Sequence, residues 1–256
     1  MPLKPFYCNG DDEDPCDTDP FSEECNPGGG DDEGGGGDNG GGDDGGGPPP
    51  CYDCPPPAVV IDSTQSIVNN MTNACLNGVF SKILGGHSQF STMLKQLGAD
   101  PNINFVFTEA PSFDDAGQPV FAKTRTYGSG QYKTFEIKFN LSRIHNSAQE
   151  FLAETILHEI MHAFMDSKNP NLSELEQHQN MYTQGYIDLE ITALQNMFPS
   201  LSNAAATKLV IGGYDDIKEN NRVLYDQILA ARNVTEIDVQ NTNNDYRHGA
   251  TGTKCQ

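Results

Sequence analysis

The stretch ETILHEIMHAFM, residues 154–165, places two histidines four positions apart, with a glutamate directly after the first. Residues four apart on an α-helix lie on one face about one turn apart, so the rings of His158 and His162 point the same way. Two imidazoles at this spacing can bind one Zn²⁺, with Glu159 beside them as general base for an activated water molecule. The alternative is an ordinary helix whose histidines are structural. The spacing favours metal ligation by His158 and His162.

Catalytic zinc sites normally have three protein ligands and one open position. The longer motif HExxHxxGxxH is absent, because HAFMDSKNP has neither Gly nor His where that motif requires them. His178 begins a helical stripe of mostly apolar residues on the next predicted helix, so we predict it as the third ligand. Four acidic residues of the same region remain alternatives: Glu174, Glu176, Asp188 and Glu190. The other three histidines are expected on the surface or in loops: His87, His145 and His248.

ETILHEIMHAFM together with the following EQHQNMY resembles the SprT-like zinc metallopeptidases and, more broadly, the zincins. This resemblance covers roughly residues 100–198. It implies a small twisted sheet packed on the HExxH helix, a catalytic glutamate at Glu159, and a third histidine from a later helix, which His178 matches. The chain lacks the cysteine-rich zinc ribbon of many SprT-like proteins and is acidic where their DNA-linked members are basic. Only the zinc site and the hydrolytic chemistry are therefore carried over.

The hydrophobic periodicity predicts an α+β fold, with helices, then a small sheet, then more helices. Before the metal helix, Ile67, Met71, Cys75, Val79 and Ile83 have helical spacing, and a second helix is predicted over 89–97. Alternating residues then predict three strands: INFVFTEA, PVFAKTRTYG and KTFEIKFNL, with YGSGQY as a hairpin loop. From the zincin resemblance, KTFEIKFNL is a candidate edge strand that pairs with an extended substrate.

Capping boxes predict the starts of the next two helices. Ser147 with Glu150 starts the metal helix, and Ser173 with Glu176 starts a long helix that ends at Phe198 before a proline. Two further helices are predicted over 204–210 and 216–232. The tail QNTNNDYRHGATGTKCQ has no clear periodicity and is predicted to be irregular. Tyr182 and Tyr186 are predicted to pack in the core, with oxyanion binding as the alternative.

The charge is concentrated at the beginning of the chain. The formal net charge is -21 over 256 residues, and residues 1–57 contain fifteen acidic residues, one lysine and fourteen glycines. Such a segment cannot bury enough apolar surface to offset the entropy of ordering it. We therefore predict a disordered acidic Gly/Asp/Pro-rich extension over 1–57 and a zincin-like domain over 58–256. The acidic charge argues against nucleic acid as a partner.

Five of the seven cysteines lie in the predicted extension: Cys8, Cys16, Cys25, Cys51 and Cys54. Cysteines in an exposed segment favour an oxidising compartment, so we expect a secreted or cell-surface location. CNGDDEDPC resembles the acidic stretch after the lipidated cysteine of bacterial surface lipoproteins, which leaves a lipid anchor open. No membrane span is expected. Cys75 and Cys255 can pair with each other or stay free.

These observations predict a zinc-dependent metallopeptidase that acts on a protein or peptide substrate. Two alternatives remain at this point. The first is a secreted or surface interaction module in which zinc only stabilises the fold. The second is a toxin or effector domain of a longer carrier, consistent with the linker-like extension. The whole chain also resembles secreted proteins of Bacteroidota. The sequence contains no feature that indicates the oligomeric state.

Overall fold

A mixed four-stranded sheet and ten α-helices form the part of the chain that the computed structural model describes, residues 67–86, 89–115, 117–128 and 131–255. The predicted α+β class is confirmed. The predicted acidic extension and its boundary with the folded domain lie outside these residues. None of the helices among them combines the length and the hydropathy that crossing a bilayer requires.

The strands are Ile67–Asn69 (β1), Ile103–Ala110 (β2), Asp114–Asp115 (β3), Gln118–Pro119 (β4), Ala122–Tyr127 (β5) and Lys133–Asn140 (β6). The four-stranded sheet has the order β1-β2-β6-β5, and β3 pairs with β4 in a separate ribbon. Within the sheet β1, β2 and β6 are parallel, whereas β5 is antiparallel to β6. The predicted hairpin is therefore confirmed, and it places β5 at the edge of the sheet.

KTFEIKFNL is a central strand, so the prediction that it forms the substrate-binding edge is wrong. β6 pairs with β2 on one side and with β5 on the other. Its polar Glu136 is also buried. The fold tolerates this carboxylate because the Thr108 hydroxyl donates to one of its oxygens (3.1 Å) and the Tyr127 hydroxyl donates to the other (3.0 Å). The alternation of polar and apolar residues in β6 suggested a strand with one exposed face. Glu136 contributes to that pattern although its hydrogen-bonded carboxylate is buried.

The helices are Ala74–Gly85 (α1), Gln89–Gly98 (α2), Leu141–Ile144 (α3), Gln149–Lys168 (α4), Glu174–Thr183 (α5), Tyr186–Met197 (α6), Asn203–Ile211 (α7), Asp215–Asn220 (α8), Arg222–Arg232 (α9) and Glu236–Arg247 (α10). A 3-10 turn, Gly212–Tyr214, joins α7 to α8. α4 carries HExxH and packs against β5 and β6 on one side and against α1, α6 and α10 on others. It is buried nearly all round, as a central helix must be.

Three helix boundaries differ from the prediction. Ile67 belongs to β1, and α1 starts only after Asn73, whose side chain accepts from the amides of Cys75 and Leu76. The predicted long helix after Ser173 is two helices, because Gly185 adopts a left-handed conformation (φ 78°) between them. The predicted helix over 216–232 is likewise split between α8 and α9. Apolar spacing that continues across a break hides the break in the sequence.

The tail predicted to be irregular begins inside α10, a three-turn helix that continues to Arg247. Thr235 and Asp238 form a capping box at its start. Most of its residues are polar, and only Val239 and Tyr246 are buried. The hydrophobic period is therefore too sparse to predict a helix from sequence, although the capping box was present.

The start of α4 is held by the C-terminal tail, so the predicted capping box of Ser147 and Glu150 is wrong. Ala148 is the N-cap, and the Ser147 hydroxyl donates to the carbonyl of Arg247 (3.0 Å). The Glu150 carboxylate accepts from both the amide (2.8 Å) and the hydroxyl (2.7 Å) of Thr253. The backbone amide of Gln149 donates to the Thr253 carbonyl (2.8 Å). A distant segment thus satisfies groups at the helix start that a local cap would otherwise pair.

A disulfide between Cys75 and Cys255 ties this tail to α1. The bond spans a sequence separation of 180 residues. Of the two alternatives left open by the sequence, the structure thus shows pairing. A bond that closes so long a loop restricts the unfolded chain strongly, and here it also holds the tail against the start of the metal helix.

We expect Cys255→Ser to lower the free energy of unfolding by about 3 kcal/mol, because the unfolded chain regains the freedom that the disulfide removes. Urea unfolding of the oxidised wild type and the variant measures the difference. Reductant should lower the stability of the wild type toward that of the variant and leave the variant itself unchanged. Equal stabilities under oxidising conditions would show that the bond contributes nothing to the fold.

Candidate metal centre

Three histidine side chains converge at one point between α4 and α5. The Nε2 atoms of His158 and His162 lie 3.1 Å apart, and that of His178 lies 3.0 Å from each. His158 and His162 come from adjacent turns of α4, and His178 comes from the second turn of α5. The structure therefore brings together the three histidines that the sequence singles out, in a group that could hold a metal ion.

Hydrogen bonds at the opposite ring nitrogens fix the direction in which two of these imidazoles present a lone pair. The Gln177 amide nitrogen donates to Asp166 (2.7 Å), so its oxygen is free to accept from His162 Nδ1 (2.6 Å). His178 Nδ1 donates to the carboxylate of Asp216 (2.5 Å). With Nδ1 protonated in both neutral rings, both Nε2 atoms carry lone pairs. Lone pairs that face each other at 3 Å do not bond, whereas a shared cation binds them all.

The protein environment keeps the imidazoles of His158 and His178 neutral, which is the form that binds metal. Burial, and then the neighbouring His162 and His178, hold the pKa of His158 well below its ordinary value. Burial, with His162 as the second cause, lowers the pKa of His178 to about 2. Both effects disfavour the charged form of these two rings. A donor set of three imidazoles fits a borderline divalent ion.

Tyr214 forms the buried wall behind two of the histidines. Its ring centroid lies 5.3 Å from that of His158 and 5.0 Å from that of His178, with the rings edge to face. Its hydroxyl donates to Glu190 Oε2 (3.2 Å), a carboxyl that is 1% exposed. This aromatic wall limits the orientation of both imidazoles and excludes water from one side of the site.

Glu159 lies beside the three nitrogens without joining them. The Thr124 hydroxyl on β5 lies 2.7 Å from its Oε2 and thereby holds the carboxylate. Burial raises the pKa of Glu159, while the nearby His162 and the hydrogen bond from Thr124 lower it. A partly desolvated carboxylate, held in one rotamer next to a metal position, has the properties of a general base.

A groove at this site is lined by residues of α4, α5 and α10 and of β5 with the residues just before it. It consists of a cavity of about 430 Å³ that includes His158 and His178 in its wall, and an adjoining one of about 140 Å³ that includes His162. Four residues line both cavities: Val120, Ala122, Glu159 and Glu174. The three imidazoles and the Glu159 carboxylate are therefore accessible from one continuous groove.

The four acidic alternatives for the third ligand occupy other positions. Glu176 closes the capping box of α5, Asp188 pairs with Arg232, and Glu190 accepts from Tyr214. Glu174 lines the groove, but none of the four belongs to the convergent group. His145 and His248 are exposed, as expected, and His87 lies outside the described residues. Tyr186 packs on Phe164, which supports the packing role predicted for it.

Sequence reasoning missed the residues that orient the predicted ones. Thr124 and Asp216 are 35 and 38 residues from their partners Glu159 and His178, so no local spacing relates them. Gln177 directly precedes His178, yet its side chain supports a different ring, that of His162. One local signal of the segment behind the histidines is the glycine pair Gly212 and Gly213 before Tyr214, because adjacent glycines mark a close approach of the backbone to other groups.

Glu190 provides a test of the buried environment behind the histidines. Burial raises its pKa to about 8, against an ordinary value of 4.5. Between these pH values the folded protein retains a proton that the unfolded chain has released, so stability falls as pH rises. We expect this group to cost the wild type on the order of 4 kcal/mol between pH 4.5 and pH 8.

The glutamine variant Glu190→Gln cannot ionise, so its stability should fall less over this range. Urea unfolding at pH 5, 6.5 and 8, with chelator present, measures both proteins without a metal contribution. The exposed variant Glu219→Gln should keep the pH dependence of the wild type. Parallel profiles for the wild type and Glu190→Gln would show that Glu190 ionises normally in the fold.

The chain matches no family model, no curated protein and no solved structure. The function is therefore inferred from the chemistry of the groove and of the side chains that face it.

Proposed function

We propose that the protein is a zinc-dependent metallopeptidase of the zincin type, with His158, His162 and His178 as metal ligands and Glu159 as general base. The observation that carries the proposal is the placement of three converging imidazole nitrogens and one held carboxylate on the wall of an open groove. The likeness of ETILHEIMHAFM and EQHQNMY to SprT-like peptidases, which rests on the same residues, agrees with it.

The choice of a catalytic site over a structural one rests on ligand count. A structural zinc site takes four protein ligands, whereas a catalytic site keeps one position for water or substrate. Among the described residues, no Cys, Asp, Glu or fourth His joins the three histidines. This supports a peptidase over an interaction module in which zinc only stabilises the fold. Three histidines with an open position are a common zinc donor set, which favours Zn²⁺.

A bound zinc ion supplies a Lewis acid that activates water and polarises the scissile carbonyl. Glu159 takes the proton from the attacking water and delivers it to the departing amine. The Thr124 hydroxyl holds one oxygen of this carboxylate, so the side chain is already in one fixed rotamer when it accepts the proton. Asp216 and Gln177 hold the rings of His178 and His162 in the tautomers that ligation requires.

We propose that β5 binds the substrate backbone. One side of β5 pairs with β6, and in the described sheet no strand pairs with its other side. Its Thr124 contacts Glu159 directly, so a peptide added to this edge passes the catalytic carboxylate. This assigns to β5 the role that the sequence suggested for β6. The disulfide between Cys75 and Cys255 supports a secreted or cell-surface location.

Elemental analysis of the purified protein and a casein hydrolysis assay test this function together. We expect one zinc ion per chain, hydrolysis that chelator abolishes, and recovery when zinc is returned. Protein without stoichiometric metal, or hydrolysis that is indifferent to chelator, would contradict the proposal. A full complement of zinc without hydrolysis of any protein or peptide substrate would favour the interaction module instead.

A further inference from the structure

The larger cavity extends beyond the catalytic groups along α4 to Glu154, one turn before His158. Glu154 lines this cavity, is 5% exposed, and its Oε1 atom has no hydrogen-bond partner. Leaving a buried carboxyl oxygen unpaired is costly, so such an atom on a cavity wall marks a place where a ligand donates. The peptidase mechanism described above does not use this carboxyl.

Gly213 lies against Glu154 and His158, and its lack of a side chain allows this close approach. A Cβ atom at this position would lie 2.9 Å from Glu154 Oε1 and 3.0 Å from His158 Nδ1. Side chains of any size at residue 213 would therefore fill the approach to the carboxyl oxygen. Phe121, Phe151 and Val239 add apolar wall to the same cavity, which suits the methylene stem of a long side chain.

The ionisable side chains of the cavity wall are predominantly acidic. Besides Glu154 and Glu159, it contains Glu174, Asp215 and Asp216. Its one cationic side chain is Arg247, whose guanidinium carbon lies 4.7 Å from the ring centroid of Phe121. A deep carboxyl with further carboxylates around it attracts cations and repels anions.

We propose that this cavity binds a lysine or arginine side chain of the substrate, with Glu154 as the group that receives its charged end. This inference rests on the proposed peptidase function and specifies its substrate class. The apolar walls hold the stem, and the cationic head donates to the unpaired carboxyl oxygen. Burial, Glu190 and Glu159 raise the pKa of Glu154 well above its ordinary value, so a bound cation relieves an environment that disfavours the free charge.

A rival role for Glu154 is to orient His158. His158 Nδ1 is also buried without a partner, and the distances to a Cβ at Gly213 place the two atoms within about 6 Å of each other. In that case Glu154 would affect metal binding and not substrate choice. The two roles predict different outcomes for one isosteric substitution, Glu154→Gln.

Quenched fluorescent peptides that are identical except at the residues flanking the scissile bond test the preference. We expect kcat/KM for lysine or arginine to exceed that for norleucine by at least about 10-fold, and that for glutamate by more. Glu154→Gln should reduce the ratio of lysine to norleucine to about 2 or less, with little effect on norleucine itself. Asp215→Asn, at an exposed position on the cavity rim, should reduce the ratio about 2-fold. Glu219→Gln, outside the cavity, should leave it unchanged.

Calorimetric titration with n-butylguanidinium and its neutral isostere n-butylurea tests the pocket without turnover. The zinc-loaded wild type should bind the cation at least about 10-fold more tightly, and Glu154→Gln should not discriminate. Tighter binding of the cation than of the neutral probe, without cleavage of any peptide, would support the cation-binding pocket and contradict the proposed peptidase function. Cleavage with no preference for basic residues and no discrimination between the two probes would overturn the pocket and leave the peptidase. Weaker zinc binding in Glu154→Gln with an unchanged lysine preference would overturn the proposed pocket and show that Glu154 orients His158 instead.

Discussion

Replacing Glu159 with glutamine should lower peptide hydrolysis by about 10³-fold while the protein stays folded and retains its zinc. The substitution keeps the size of the side chain and its contact with the Thr124 hydroxyl, but an amide cannot accept the proton of the attacking water. Metal content should be unchanged, because Glu159 is not part of the histidine group. Casein and peptide assays, with zinc measured in the same samples, give both quantities.

The matched control for this experiment is Glu219→Gln, the same chemical change at an exposed position on α8, outside both groove cavities. It should retain wild-type activity and zinc. Activity of Glu159→Gln within a few-fold of the wild type would exclude Glu159 as the base. Loss of zinc together with activity would instead assign Glu159 a role in holding the metal.

The parts of the site that one helix encodes could be predicted from the sequence. The spacing of His158, Glu159 and His162 fixes their relative directions, because a helix repeats every 3.6 residues. His178 was found through its place in a helical stripe, although that stripe crosses a break at Gly185. Burial of His178, 2% exposed, agrees with the stripe, while its ligand role stays a prediction.

Contacts between distant segments could not be predicted, and they determine much of the geometry of the site. The start of α4 looked locally capped, yet Thr253 binds the Glu150 carboxylate from the other end of the chain. The sheet order was equally inaccessible, because alternation in a strand does not say how many neighbours it has. As a result the substrate-binding edge was assigned to β6, whereas β5 is the strand beside Glu159.

Replacing His178 with alanine should weaken zinc binding by about 10²–10³-fold. Structural zinc sites bind with about 10–16 kcal/mol shared among four ligands, so one ligand accounts for roughly 2.5–4 kcal/mol. Competition with a chromophoric chelator measures the affinity directly. The rise in Tm that zinc gives the wild type should shrink in parallel, because a ligand stabilises a fold in proportion to the logarithm of its concentration over Kd.

Two further variants separate loss of a ligand from general damage. Asp216→Asn leaves His178 in place but weakens the bond that orients it, so zinc affinity should fall less, about 10-fold or somewhat more. His248→Ala removes an exposed histidine and should change nothing. Tm in the presence of chelator reports the damage to the metal-free fold, which His178→Ala also causes because its ring is buried. Equal zinc affinity in His178→Ala and the wild type would exclude His178 as a ligand, whatever its effect on the metal-free fold.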